Sequence, residues 1–175
     1  MNQPICLTKN AFNSLLAHIV ELEEGISEII DLFFNEPSKE SAEIKETLNN
    51  YLRWMDTTLK KISVTDDADD YFPYVVIGSE VTVEDSGSGD VFSYKLVSPL
   101  RNKINSNEIS LLSPMGKAML LRKVNDKFIV KAPGGDFEYK VLTVKITTDN
   151  GDSNSEPTGD AKKKDFNNQH SNLVG

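Results

Sequence analysis

Three glutamates, Glu36, Glu40 and Glu43, fall close together in a stretch that also holds Pro37 and Ser38. Carboxylate oxygens are the hard ligands that Mg²⁺ takes, one or two from the protein with the rest of its shell from water or substrate. The ordinary reading of the same acids is a turn followed by the first turn of a helix, where negative charge favours the backbone dipole. The other reactive groups are scattered. Cys6 is the single cysteine, which excludes an intramolecular disulfide and a cysteine-based zinc site. His18 and His170 lie too far apart to form a recognisable ligand set, and Ser113 lacks the His and Asp partners of a nucleophile. An EF-hand loop counted from Asp66 would need Gly and Glu where Tyr71 and Ile77 stand. Gly134-Gly135 after Pro133 is a turn; no Lys-Ser/Thr pair follows to make a phosphate loop.

The glutamates need elements to hold them. Phe12, Leu15, Ile19, Leu22, Ile26, Ile29 and Phe33 are spaced alternately three and four apart, the seam of an antiparallel helix pair or coiled coil. Thr8 suits the N-cap, and Asn35-Glu36-Pro37-Ser38 ends the helix. A second stripe, Ile44, Leu48, Tyr51, Met55, Leu59 and Ile62, follows from a start near Ser38. The short connection demands an antiparallel hairpin, an arm about 40 Å long. Its narrow seam requires that it either pack on something else or project. Trp54 and Tyr51 are expected to pack on the first helix or on the module that follows.

From Tyr74 the period becomes that of strands. Val75-Val76-Ile77, Glu80–Glu84, Val91–Val97 and Glu108–Leu112 read as strands, then Ser113-Pro114 opens a short helix. A last hairpin turns at Pro133-Gly134-Gly135 and closes with a strand from Phe137 to Ile146. Residues 1–65 are thus read as the hairpin, 66–74 as a solvated acidic linker, 75–146 as a β-rich module and 147–175 as a disordered polar tail.

The net charge of −8 argues against broad nucleic-acid binding, which depends on neutralising phosphates. The acid sits in the first half and the tail; residues 75–146 carry ten bases against eight acids. No run of about 18 apolar residues would span a membrane, and Met1 to Thr8 lack the marks of a secretory leader, so a cytoplasmic protein is expected.

The β module carries a resemblance. Ser113-Pro114-Met115-Gly116-Lys117-Ala118-Met119-Leu120, then Lys123-Val124-Asn125-Asp126, then Ala132-Pro133-Gly134-Gly135-Asp136-Phe137-Glu138-Tyr139-Lys140-Val141-Leu142, resembles the C-terminal domain of the bacterial Gre transcription elongation factors. Gly78-Ser79-Glu80-Val81-Thr82-Val83 is similar to that domain's first strand, and the two-helix arm opening at Leu7-Thr8 matches the family's other domain. The resemblance implies an α+β chain: an N-terminal antiparallel helical hairpin followed by a small antiparallel-β, FKBP-like module with one short helix. It implies a monomer whose module docks on the rim of the secondary channel of bacterial RNA polymerase. The arm would reach towards the active centre and the nascent RNA 3′ end.

The family's tip pattern is Gly-Asp-Leu-x-Glu-Asn-Ala-Glu-Tyr, which completes the polymerase's second Mg²⁺ for transcript cleavage; the factor holds no metal or cofactor of its own. Glu40 falls on the tip Glu and Ala42-Glu43 on the Ala-Glu, but Pro37 stands where the tip Asp belongs, with Glu36 one residue earlier. The arm also reads about four residues shorter per helix, a deficit of about 6 Å. The resemblance therefore implies a channel-occupying regulator that competes with cleavage-active homologues or regulates initiation and pausing, and is not itself an enzyme; stimulation of cleavage through the tip glutamates is the alternative. Ser113, Pro114, Met115, Gly116 and Lys117 would contribute to the docking surface, with Met115 either a contact anchor or a core residue. Lys45 and Arg53 would face RNA or simply solvent. The family's acidic stretch after the second strand is replaced by Val97-Ser98-Pro99-Leu100-Arg101-Asn102-Lys103. Two other classes remain: a prolyl isomerase using Tyr74, Phe92, Tyr94, Phe128, Phe137 and Tyr139, and a polymerase-independent coiled-coil module.

Overall fold

The computed structural model describes residues 4–102 and 104–148. The tail from residue 149 onward, expected to be disordered, lies outside them. Helix α1 spans Lys9–Phe33 and α2 spans Lys39–Leu59. Both starts follow from local chemistry. Thr8 accepts the Ala11 amide at 3.3 Å, and Ser38 and Ser41 form a reciprocal capping box, each side chain accepting the other's backbone N–H. Helix α1 ends two residues before the expected Asn35, because Phe34 is already extended. Helix α2 ends at Leu59, so Ile62 belongs to a strand and not to the helical stripe.

That strand is part of an unforeseen element. Strand β1, Ile5–Leu7, pairs in parallel with β2, Ile62–Val64, and so ties the two open ends of the hairpin together. The remaining strands are β3, Ser79–Asp85; β4, Val91–Val97; β5, Glu108–Ser110; β6, Lys127–Ala132; and β7, Gly135–Ile146. They form one sheet in the order β5-β4-β3-β7-β6. Pairing is antiparallel except between β4 and β5, where the long connection through residues 98–107 brings the chain back in the same direction. The sheet is thus predominantly antiparallel, as expected, with β5 the one parallel neighbour. Val75-Val76-Ile77 is buried but is not a strand: Val75 exchanges backbone bonds with Leu121 and Arg122, in the loop after the short helix α3, Pro114–Met119.

The module's turns are chemically specified. Residues Pro133-Gly134 connect β6 to β7, and Gly135 takes a φ of +123° that L-residues avoid. Asn125 takes a φ of +75°, and asparagine is among the few side chains that adopt this region readily.

A single apolar core runs through both parts. Leu15, Leu22, Ile26 and Ile29 of α1 and Leu48, Tyr51 and Met55 of α2 join Val81, Val83, Leu96, Val130, Val141 and Val144 of the sheet. The choice left open for the arm is thereby resolved: it packs on the module. The acidic segment 66–74 is only partly solvated. Asp66, Asp67 and Asp69 are exposed, but the Asp70 carboxylate accepts the Thr8 amide at 2.6 Å and the Thr8 hydroxyl at 3.0 Å. Phe72 is buried and its amide donates to the Val144 carbonyl. Among the described residues, no helix is long and apolar enough to cross a membrane.

Candidate functional site

The tip is shaped by the capping box. Ser38 and Ser41 lock the first turn of α2, which puts Glu40 on an exposed position of that turn, Glu43 on an exposed position just after it, and leaves Glu36 exposed in the connection. Pro37 fixes its own φ and supplies no side-chain oxygen. The three glutamates do not converge. Glu43 faces Lys39 at 3.7 Å along the helix, while Glu40 faces Lys117 at 3.5 Å across to the module. Among the described residues, no group of three or more His, Cys, Asp or Glu is placed to hold a cation. The tip therefore offers single carboxylates, with Glu40 and Glu43 on separate partners.

The loop proposed for docking divides sharply by burial. Ser113 caps α3: its hydroxyl accepts the Gly116 amide at 3.0 Å and donates to the Ser110 carbonyl at 2.8 Å. Gly116 presses on the Ser110 carbonyl, where a Cβ would overlap backbone. Met115 is fully buried. Of the two roles open to it, contact anchor or core residue, the structure gives it the second, because the helix turns it into the core. Ser113 and Gly116 are buried as well and act by shaping the loop; Pro114 is half-buried, and Lys117 alone of the five is exposed. Of the five, only Pro114 and Lys117 present side-chain surface to solvent.

Lys45 and Arg53 lie on one exposed side of α2, where they line a shallow depression with Ala42, Glu46, Asn49 and Asn50. Arg53 reaches Asn50 at 3.4 Å. The aromatic residues of the module stack in pairs: Phe128 on Tyr139 with centroids 5.8 Å apart, and Phe92 on Tyr94 at 6.0 Å. Tyr74 meets Trp54 of α2 edge-on at 4.9 Å. These rings are spent largely on one another. Burial pushes the phenols of Tyr94 and Tyr139 upward, and the nearby Asp85 carboxylate adds to it.

Tyr51 and Trp54, expected to pack on the first helix or on the module, both meet the module; sequence reasoning missed the particular partners and the glycine contacts beside them. The Ile77 amide donates to the Tyr51 hydroxyl at 3.0 Å in a fully buried setting, and burial pushes that phenol far upward. Leu100 packs on Gly25 of α1, and His18 packs on Gly78. One signal was available: a glycine inside a helix costs about 1 kcal/mol relative to alanine and usually has a packing reason.

Comparison with known proteins bears on these surfaces. Residues 73–146 match the model of the family described as transcription elongation factor GreA/GreB, C-terminal. The chain is 30% identical over 156 residues to the transcription elongation factor GreA of Pelobacter propionicus, covering 83% of this chain and 99% of that protein. The chain belongs to the GreA/GreB family. It is also 31% identical over 122 residues to GreA of Solidesulfovibrio magneticus, covering 70% of this chain and 71% of the relative. A solved GreA/GreB factor from Nitrosomonas europaea aligns over 81% of this chain and 98% of its own at 19% identity, with a TM-score of 0.42. The chain is thus a Gre-family transcription elongation factor.

Proposed function

We propose that this protein is a monomeric cytoplasmic factor that binds bacterial RNA polymerase at the rim of its secondary channel. It occupies that channel without strongly stimulating transcript cleavage. The observation that carries this reading is the state of the tip. Glu40, the one acid in register with the family's tip glutamate, is already engaged by Lys117, and the position of the tip aspartate is held by Pro37. Completing a weakly held second Mg²⁺ needs carboxylate oxygens placed to a few tenths of an ångström. Glu36, Glu40 and Glu43 point to separate partners or to solvent and do not meet that demand together. Any Mg²⁺ involved belongs to the polymerase. On this reading Pro114 and Lys117 meet the rim, and Lys45 and Arg53 are the cations available to the RNA 3′ end.

The test is RNA release from a backtracked polymerase complex, with the protein alone and together with a cleavage-active Gre factor. Suppression of the active factor with no shortening by the protein alone supports the proposal. Transcript shortening by the protein alone would show that the tip glutamates suffice as ligands. No effect in either assay would sink the polymerase assignment.

A further inference from the structure

The face between arm and module is built from reciprocal sockets. Gly25, inside α1, leaves a space that Leu100 of the module fills; a Cβ there would overlap the Leu100 methyl. Gly78, at the start of the module, is in turn covered by the His18 ring of α1, and its φ of +87° suits glycine. Each body thus offers one glycine and inserts one large side chain into the other's. Between these contacts the buried Tyr51 hydroxyl of α2 receives the Ile77 amide at 3.0 Å. Ile77 precedes Gly78, so the hydrogen bond and one of the sockets act on the same short stretch of backbone. Leu100 comes from the segment 97–103 in which this chain departs from the family pattern.

The geometry points to a role for this face that rests on the proposed function: Tyr51 and Leu100 are positioning residues that key the arm against the module and so set where the tip stands relative to Lys117. The lever is long. Tyr51 lies eleven residues from Glu40 on a continuous helix, about 16 Å along the axis. A change of angle at the joint is therefore enlarged at the tip. Neither residue touches the polymerase or RNA in this reading; both act through the placement of Glu40 and of the α2 face bearing Lys45 and Arg53.

The experiment uses the full chain with Cys6→Ser and spin labels on cysteines replacing Lys39, at the tip, and Lys131, on the module. Tyr51→Phe removes only the hydroxyl. Leu100→Ala empties the socket of a half-buried residue, and Leu100→Met refills it. The expected result is a shifted or broadened tip-to-module distance in Tyr51→Phe and Leu100→Ala, restored in Leu100→Met. Polymerase affinity should change by less than about threefold, while the tip-dependent action on backtracked complexes, cleavage or its suppression, falls at least about tenfold, as small misplacements far from the chemistry can do. An unchanged distance in both variants overturns the inference, and so does an action that falls only in step with affinity. If the distances respond but the wild-type chain does not bind polymerase, the joint stands and the proposed function fails. Should Tyr51→Phe not fold, the Leu100 pair decides alone.

Discussion

Lys117 reaches Glu40 across 3.5 Å, joining the exposed residue of the α3 loop to the first turn of α2. The pair brings the tip acid and the exposed cation of α3 into one local charge system. Both side chains are well exposed, at 61% for Glu40 and 37% for Lys117, so the pair adds little to stability. Glu40→Gln is expected to change unfolding free energy by less than about 0.5 kcal/mol, with any difference vanishing in high salt. Its effect should appear instead in assays with polymerase. Urea unfolding at low and high ionic strength checks the first half of this statement.

Met115 and Lys117 are two residues apart and should behave in opposite ways. Met115→Ala empties a fully buried site and is expected to cost about 2–4 kcal/mol. Lys117→Ala should leave stability within about 0.5 kcal/mol and weaken polymerase binding. Denaturant titration of both variants beside a polymerase-binding measurement separates the two roles. A stable Met115→Ala with lost binding would restore that side chain as a surface anchor.

The tip turn depends on Ser38. Replacing it with alanine removes the acceptor for the Ser41 amide, at a cost of about 1 kcal/mol. Hydrogen exchange at the first turn of α2 should rise in Ser38→Ala, while the sheet amides change little. Equal loss of protection throughout would mean that the tip and the module open together.

The phenols of Tyr51 and Tyr139 are raised by burial. The sign follows from linkage: below the ordinary tyrosine value both states keep the proton, and above it the unfolded chain ionises first. Stability should therefore fall as pH rises from about 10, and these tyrosines should ionise only with unfolding. Ultraviolet titration of the five tyrosines should show the phenols of Tyr51 and Tyr139 held back until the chain unfolds. In Tyr51→Phe one of the late phenols should disappear. A native-state titration of all five would refute the burial of Tyr51 and Tyr139.

The exposed Lys127–Glu138 pair titrates at both ends of the scale. The ammonium at 2.8 Å holds the Glu138 carboxyl below its ordinary range, and Glu138 raises Lys127. The contribution from Glu138 is present at neutral pH and is lost as pH falls through its lowered value; that from Lys127 is lost as pH rises through its raised one. In Lys127→Ala the Glu138 midpoint should move up towards that of an unpaired carboxyl, as followed by carboxyl-carbon NMR. An unmoved midpoint would show that the pair is not formed in solution.

What this sequence determines by itself is local. Thr8, Ser38 and Ser113 mark helix starts because one side-chain oxygen and an amide three residues on suffice to cap a turn. The Pro133–Gly135 turn, the alternation in β3 and β4, and the motif order from Ser113 to Leu142 are equally self-contained, and they carried the family resemblance. The tertiary structure decided everything that needed partners far along the chain. Ile62 pairs with Ile5 rather than extending α2, and Val75 spends its backbone on the loop after α3 while the Ile77 amide goes to the Tyr51 hydroxyl. Met115 points inward because α3 lies on β6, which no spacing of residues 113–117 reveals. Tyr51 reads from periodicity as one more seam residue; only the approach of Ile77 gives its hydroxyl a task. Whether the arm projects or packs was settled by Gly25 and Leu100, 75 positions apart, because a socket exists only when both walls are present.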